Sequence, residues 1–183
     1  MNLPQDVPNN KWVRLLEKDI GLNRMKRGGV TYWYLSGKKN ITVFTIGYEG
    51  KTPQEFLGIL KSNGIQQLID VRELASSRKN GFAKSALAKL MRENNIIYKH
   101  FPSLGSPREI RHKLWEQGDY KRFFDEYSDS LLRPESQEYL IDLEGLAHVR
   151  VTIIMCFEKD PSKCHRSILK ERLLKSGIRV VDL

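Results

Sequence analysis

"ITVFTIGYEGKTPQEFLGILKSNGIQQLIDVRE", residues 41–73, decides the fold. A β-branched, apolar run ends at Gly47, a segment with helical spacing follows, and a second apolar run closes at Asp70. Thr52 is an N-cap by residue type, Pro53 suits the first helical position because its missing N–H has no partner there, and Glu55 stands third. Gly64 supplies the C-cap. Strand, helix, strand is a βαβ unit, the building block of parallel sheets.

The same order continues downstream. "KSALAKLMRENN" carries Leu87, Leu90 and Met91 at helical spacing, and "IIYKHF" reads as a half-buried strand. After the Pro/Gly-rich loop "PSLGSPRE", helices are expected around Ile110–Gln117, Asp119–Leu132 and Glu135–Ala147. The apolar strand "VRVTIIMCFE", a polar loop, the helix "SILKERLLKSG" and the strand "IRVVDL" complete the chain. The expected fold is α/β: a mostly parallel sheet with helices on both faces. Residues 1–40 form a separate basic appendage, in which "KWVRLLEKDIGL" reads as a helix, "NRMKRGG" as a turn and "VTYWYL" as a strand. The main domain is expected over residues 41–183.

Composition narrows the function classes. The 183 residues are 40% hydrophobic and 29% charged, as in a globular protein with its own core. No run of about 18 apolar residues is present, so no membrane span is expected, and two cysteines do not make a disulfide framework. A cytoplasmic setting is expected, with both cysteines reduced.

The net charge is +9, and residues 1–40 hold eight Lys/Arg against three acids. Arg24, Lys26 and Arg27 in that segment attract phosphate, and Trp12 and Trp33, with Tyr32 and Tyr34 nearby, offer surfaces for base stacking. The partner class these features suit is nucleic acid, DNA or RNA; a solvated basic arm packed by its aromatics is the bland reading.

In parallel sheets ligands bind beyond the carboxyl ends of the strands. Three polar stretches fall there: "GYEG" (47–50), "DVRELASSR" (70–78) and "EKDPSKCHR" (158–166). Cys164 precedes a helix, where backbone N–H groups and the helix dipole favour a thiolate, and His165 and Arg166 push the same way. Cys164 is a candidate nucleophile; the same loop equally suits a phosphate or carboxylate held by backbone amides and Arg166, with the thiol a bystander. Asp70 and Arg72 flank Val71 and meet on one face, either for a ligand or to tie down the adjacent loop. Ser76, Ser77, Arg78 and Lys79 make an anion-friendly loop, and Tyr48 and Glu49 reach the same edge.

Other chemistries lack their signatures. The GxxG of "GYEG" has neither the glycines of a dinucleotide fingerprint nor the lysine of a P-loop. Cys156, Cys164 and His165, with His100 as a conceivable fourth ligand, lack the paired CxxC knuckles of structural zinc sites, and Cys156 reads as a small buried hydrophobe. Neither a metal nor another cofactor is therefore expected. HExxH, GxSxG and an acidic two-metal cluster are absent from the sequence.

Taken together, "TIGYEG", "LIDVRELASSRKNGFAKSALAKLM", "IIYKHFPSLGSPRE" and "MCFEKDPSKCHRSILKERLLKSGIRVVDL" closely resemble the domain of unknown function 488 family over residues 42–183. The resemblance implies a shared α/β domain with Tyr48, Asp70, Arg72, Arg78, Glu158, Cys164, His165 and Arg166 at matching motif positions. It supplies no reaction, and residues 1–40 lie outside it. A weaker likeness is to rhodanese-type and cysteine-phosphatase domains, in which a compact anion-binding loop runs from cysteine to arginine. The loop here is ten positions long from Cys156 and two from Cys164, and neither matches that geometry.

Two functional expectations follow. The first is an intracellular enzyme acting on a phosphate-bearing substrate, a nucleotide or nucleic acid, with Cys164 as nucleophile or polarised thiol. His165 and Arg166 then stabilise anionic charge, Asp70 or Glu158 serves as general acid/base, and Tyr48, Arg72, Ser76 and Arg78 bind substrate. The second is a non-catalytic DNA- or RNA-binding module using the N-terminal arm and the strand-end arginines.

Overall fold

The structure is a computed structural model that describes residues 22–27, 30–35 and 41–183. The chain divides into two compact units, Met1–Asn40 and Ile41–Leu183. In the first unit, β1 (Leu22–Arg27) pairs antiparallel with β2 (Val30–Leu35), and Arg24 stands opposite Trp33 in the register. The expectation of a turn over "NRMKRGG" is thereby corrected. Residues 22–27 are strand, because a register that runs from Leu22↔Leu35 to Arg27↔Val30 satisfies their backbone groups against β2. Trp12 and the expected helix over "KWVRLLEKDIGL" lie outside the described residues, apart from Leu22, which begins β1.

The second unit is a five-stranded, wholly parallel sheet, ordered β5–β4–β6–β3–β7. In chain order it comprises β3 (Thr42–Gly47), α1 (Pro53–Ser62), β4 (Gln67–Asp70), α2 (Lys84–Glu93) and β5 (Ile97–His100). Then come α3 (Arg108–Gln117), α4 (Tyr120–Ser130), α5 (Pro134–Val149), β6 (Thr152–Cys156), α6 (Arg166–Lys175) and β7 (Arg179–Asp182). The first helix begins as its sequence requires. The Thr52 side chain accepts from the Glu55 N–H at 3.2 Å, and a Glu55 carboxylate oxygen accepts from the Thr52 N–H at 2.7 Å. Asn63 takes the C-cap, and Gly64 follows it in the left-handed region at φ 63°.

Helices cover both faces. Ile153 and Met155 of β6 join Phe56 and Leu60 of α1 and Leu87 and Met91 of α2 in one apolar cluster. Ile154 and Cys156, on the opposite face, join Tyr127 of α4, Leu140 and Leu143 of α5, and Leu169 and Leu173 of α6. All five residues of β6 are buried, which is why "TIIMC" is apolar without alternation.

The strand order also positions the site. The chain leaves β3 through α1 towards one face and leaves β6 through α6 towards the other, although the two strands are hydrogen-bonded neighbours. Their carboxyl ends form a topological switch point, the place where such sheets open a crevice. Here the loop after β6 crosses the end of β3 so closely that a Cβ on Gly47 would lie 1.8 Å from the Glu158 carbonyl oxygen. Glycine at 47 is thus what lets Glu158 sit over the sheet edge.

Candidate functional site

Two side-chain groups occupy the carboxyl edge of the sheet. The first lies at the end of β4. Arg72 grips Asp70 through both carboxylate oxygens, with Nε–Oδ1 2.8 Å and Nη2–Oδ2 2.6 Å, and both residues are buried. The guanidinium also donates to the Tyr48 hydroxyl and to the Phe82 carbonyl oxygen, each at 3.0 Å. Tyr98 donates to Asp70 at 2.7 Å, and burial next to that carboxylate pushes the Tyr98 phenol far above its ordinary range. Tyr48 is stacked on Phe82, with centroids 4.4 Å apart. Asp70, Arg72 and Tyr48 therefore satisfy one another, and the pair ties the loop after β4 to the sheet.

The second group is built from the end of β6 and the start of α6. The Sγ atoms of Cys156 and Cys164 lie 3.8 and 3.9 Å from His165 Nδ1, and all three donor atoms fall within 4.8 Å of one another. Glu158 Oε2 is 3.2 Å from Cys156 Sγ. His165 Nε2 lies 3.1 Å from the carbonyl oxygen of Val71, so Nε2 carries a proton and Nδ1 faces the sulfurs. The Tyr127 ring closes the far side, edge-on to the imidazole at 5.1 Å.

Arg166 locks this arrangement. Its Nε donates to Cys164 Sγ at 3.3 Å, Nη1 to Thr45 Oγ1 at 3.1 Å and Nη2 to the Glu158 carbonyl oxygen at 2.5 Å. Thr45 in turn donates to Asp182, which also accepts from Lys170. Arg166 is 1% exposed and Cys164 1%, so the group is an interior one with Glu158, only half-buried, on its outer side.

The electrostatics split the two thiols. Burial opposes ionisation of Cys164, but a hydrogen bond from Cys156 and the positive charges of His165 and Arg166 outweigh it and hold the thiol well below its ordinary range. The hydrogen bond to Cys164, with burial and Glu158 adding to it, pushes Cys156 well above. Burial would lower the His165 value, yet Cys164 and Glu158 raise it; burial and Cys164 raise that of Glu158. The two thiols are thus driven apart, with the negative charge favoured on Cys164 beside His165 and Arg166 and disfavoured on Cys156.

Cations gather at the same edge. Burial lowers the Lys51 value, and the neighbouring charges of Lys159, Arg166 and Lys79 lower it further. Lys79 donates to the Tyr48 carbonyl oxygen at 3.1 Å, and Glu49 accepts from the Lys159 N–H. Ser77 accepts from Tyr48, whereas Ser76 and Arg78 are exposed and have no hydrogen-bond or ion-pair partner among the described residues.

The structure thus brings Cys164, His165, Arg166 and Glu158 together and leaves Asp70, Arg72 and Tyr48 in a neighbouring, self-contained group. The reading of Cys156 as an inert hydrophobe is corrected: its apolar strand buries it, but the strand ends at the group and turns the sulfur to Glu158 and His165. His100 does not join them, because its Nε2 meets the Arg72 carbonyl oxygen at 2.8 Å and its Nδ1 meets Lys84. Arg24, Lys26, Arg27 and Trp33 lie in the first unit, where the backbone register alone is described. Sequence reasoning missed Thr45, Lys51, Tyr127 and Lys159. Of these only Lys51, beside the GxxG turn, and Lys159, beside Glu158, had a signal in their positions at strand ends.

These features define an α/β domain with a buried thiol–imidazole group under a cationic sheet edge. The chain belongs to the family described as Domain of unknown function DUF488, whose match covers residues 52–173. The "TIGYEG" turn and the closing strand fall outside that span. Comparison with curated proteins and with solved structures gives no match, and the likeness to rhodanese-type domains gains no support from either. No helix among the described residues is long and apolar enough to cross a membrane.

Proposed function

We propose that the protein is an enzyme acting on a phosphate-bearing substrate, a nucleotide or nucleic acid, at the carboxyl edge of the sheet. The observation that carries this reading is that Lys159, Arg166 and Lys79 all act on the charge of Lys51 at the carboxyl edge of the sheet, against one opposing acid, Glu55. Like charges repel, so a fold that collects them beside a half-buried lysine is suited to a polyanion that neutralises them. Cys164 supplies a polarised thiolate, Arg166 and His165 hold its charge, and Glu158, its value raised by burial and by Cys164, is the candidate general acid/base on the solvent side. A reducing, cytoplasmic compartment belongs to this reading, because both cysteines are free thiols.

Non-catalytic binding of DNA or RNA is the second reading. It is favoured by the β1–β2 register, which sets Arg24 opposite Trp33 and Lys26 opposite Thr31 in the first unit. A cation set opposite an aromatic residue suits phosphate contact with base stacking.

A salt series of anisotropy titrations with single- and double-stranded DNA and RNA, competed by mononucleotides and followed by product analysis, tests both. Binding should weaken steeply with salt, and Lys51→Ala or Lys79→Ala should reduce the log–log slope by about 1 per lost phosphate contact. Products formed by the wild type and lost in Cys164→Ser support the enzyme; binding without products supports the module. Undetectable or salt-insensitive binding overturns both.

A further inference from the structure

We infer that Cys156, Cys164 and His165, closed by Glu158, form a zinc site at the carboxyl end of the sheet. The inference deepens the enzyme reading by naming a cofactor for the same edge, but its argument rests on the donor atoms and not on the substrate.

The donor spacing fits. Tetrahedral zinc holds sulfur at about 2.3 Å and nitrogen at about 2.0–2.1 Å, so its donor atoms stand about 3.5–3.8 Å apart. Here the sulfur–nitrogen separations are 3.8 and 3.9 Å, and all three donors lie within 4.8 Å of one another. Glu158 Oε2 lies 3.2 Å from Cys156 Sγ but outside that set of three, and would turn inward to become the fourth ligand. Small contractions of side chains would bring the atoms onto one ion without moving a strand.

The surroundings are those of a metal ligand set. A ligating imidazole commonly donates its second N–H to a carbonyl or carboxylate, which fixes the ring and aims its lone pair; His165 does so to Val71 at 3.1 Å. Arg166 donates to Cys164 Sγ, a contact that stabilises thiolate charge. A pair of soft sulfurs with an imidazole selects zinc over magnesium or calcium.

The expectation of no metal came from the absence of CxxC knuckles. In C-x7-C-H the ligands instead flank a loop: β6 delivers Cys156, the loop delivers Glu158, and the turn just before α6 delivers Cys164 and His165. Glu158 is the half-buried member, so it is the ligand that a water or a substrate oxygen can replace. Three protein ligands with an exchangeable fourth is the arrangement of catalytic zinc, which polarises the oxygen bound there.

The test uses the full chain, stripped with chelator under reductant and titrated with zinc or cobalt(II). We expect one zinc per chain by elemental analysis, a thiolate-to-cobalt charge-transfer band, and protection of both thiols from alkylation by added zinc in the wild type. Cys164→Ser, Cys156→Ser and His165→Gln should each weaken zinc binding more than about 100-fold, beyond the 10–100-fold typical of outer-shell changes. The alkylation measurement needs no variant, so it stands even where a substitution unfolds the chain. Sub-stoichiometric zinc, cobalt without a charge-transfer band, equal alkylation with and without zinc, or undiminished binding in the Cys156→Ser/Cys164→Ser double variant would each overturn the inference. Phosphate-ligand binding that survives in stripped protein while zinc fails sinks the metal alone; zinc binding without any phosphate ligand sinks the substrate reading alone.

Discussion

His165 at the N-cap of α6 and Val71 just beyond β4 are joined across the sheet by a 3.1 Å contact between imidazole Nε2 and a backbone carbonyl oxygen. A carbonyl oxygen accepts and cannot donate, so the contact assigns the proton to Nε2 whatever the charge on the ring. Nitrogen-detected NMR of the full chain should show an Nε2-bound proton that exchanges slowly, with pH-dependent change confined to Nδ1. A neutral ring protonated at Nδ1 would refute the assignment.

The Asp70–Arg72 pair predicts a large loss on single substitution. Asp70 is fully buried and Arg72 nearly so, and removing one partner strands the other's charge in the interior. Asp70→Asn and Arg72→Met should each destabilise by about 3–5 kcal/mol in urea denaturation. The double variant should lose less than the two single losses combined, because no isolated charge remains. Losses below about 1 kcal/mol for both single variants would show that the pair does not hold the β4 loop.

Glycine positions give a matched contrast. A Cβ at Gly47 would meet the Glu158 carbonyl oxygen at 1.8 Å, whereas one on Gly58 in α1 would meet nothing within 4 Å. Gly47→Ala should cost at least about 1–3 kcal/mol and displace the loop carrying Glu158. Gly58→Ala should stabilise by about 0.5–1 kcal/mol, since alanine has less chain freedom to lose. Equal melting temperatures for the two variants would contradict the packing.

Asp182 should contribute acid sensitivity. Burial opposes its ionisation, but Lys170 at 2.6 Å and Thr45 at 2.7 Å hold it below the ordinary carboxylate value. A depressed folded value means that the stabilisation is present above the unfolded pKa and fades as pH falls through the folded one. The wild type should therefore exceed Asp182→Asn by about 1 kcal/mol or less near pH 7, the pair being partly screened, with the gap closing below about pH 4. A gap that widens in acid would reverse the assignment.

The sequence by itself determined the sheet, its helices and the edge where chemistry gathers. Local signals were enough: Thr52, Pro53 and Glu55 start α1, and the apolar "TIIMC" requires burial on both faces. Cys164, His165 and Arg166 are consecutive, so their juxtaposition was legible as well. The turn reading of "NRMKRGG" failed because strand pairing depends on a partner segment, and basic residues pair as readily as others when the backbone is satisfied. The tertiary structure alone decided that Cys156 belongs with Cys164, that Arg72 is consumed by Asp70, Tyr48 and Phe82, and that Tyr127 closes the group from α4. Periodicity reports which face of an element is apolar, but a contact between distant elements depends on strand order. Here the order β4–β6–β3 sets Val71, Cys156 and Gly47 side by side and so creates the place where Glu158, Cys164 and His165 meet.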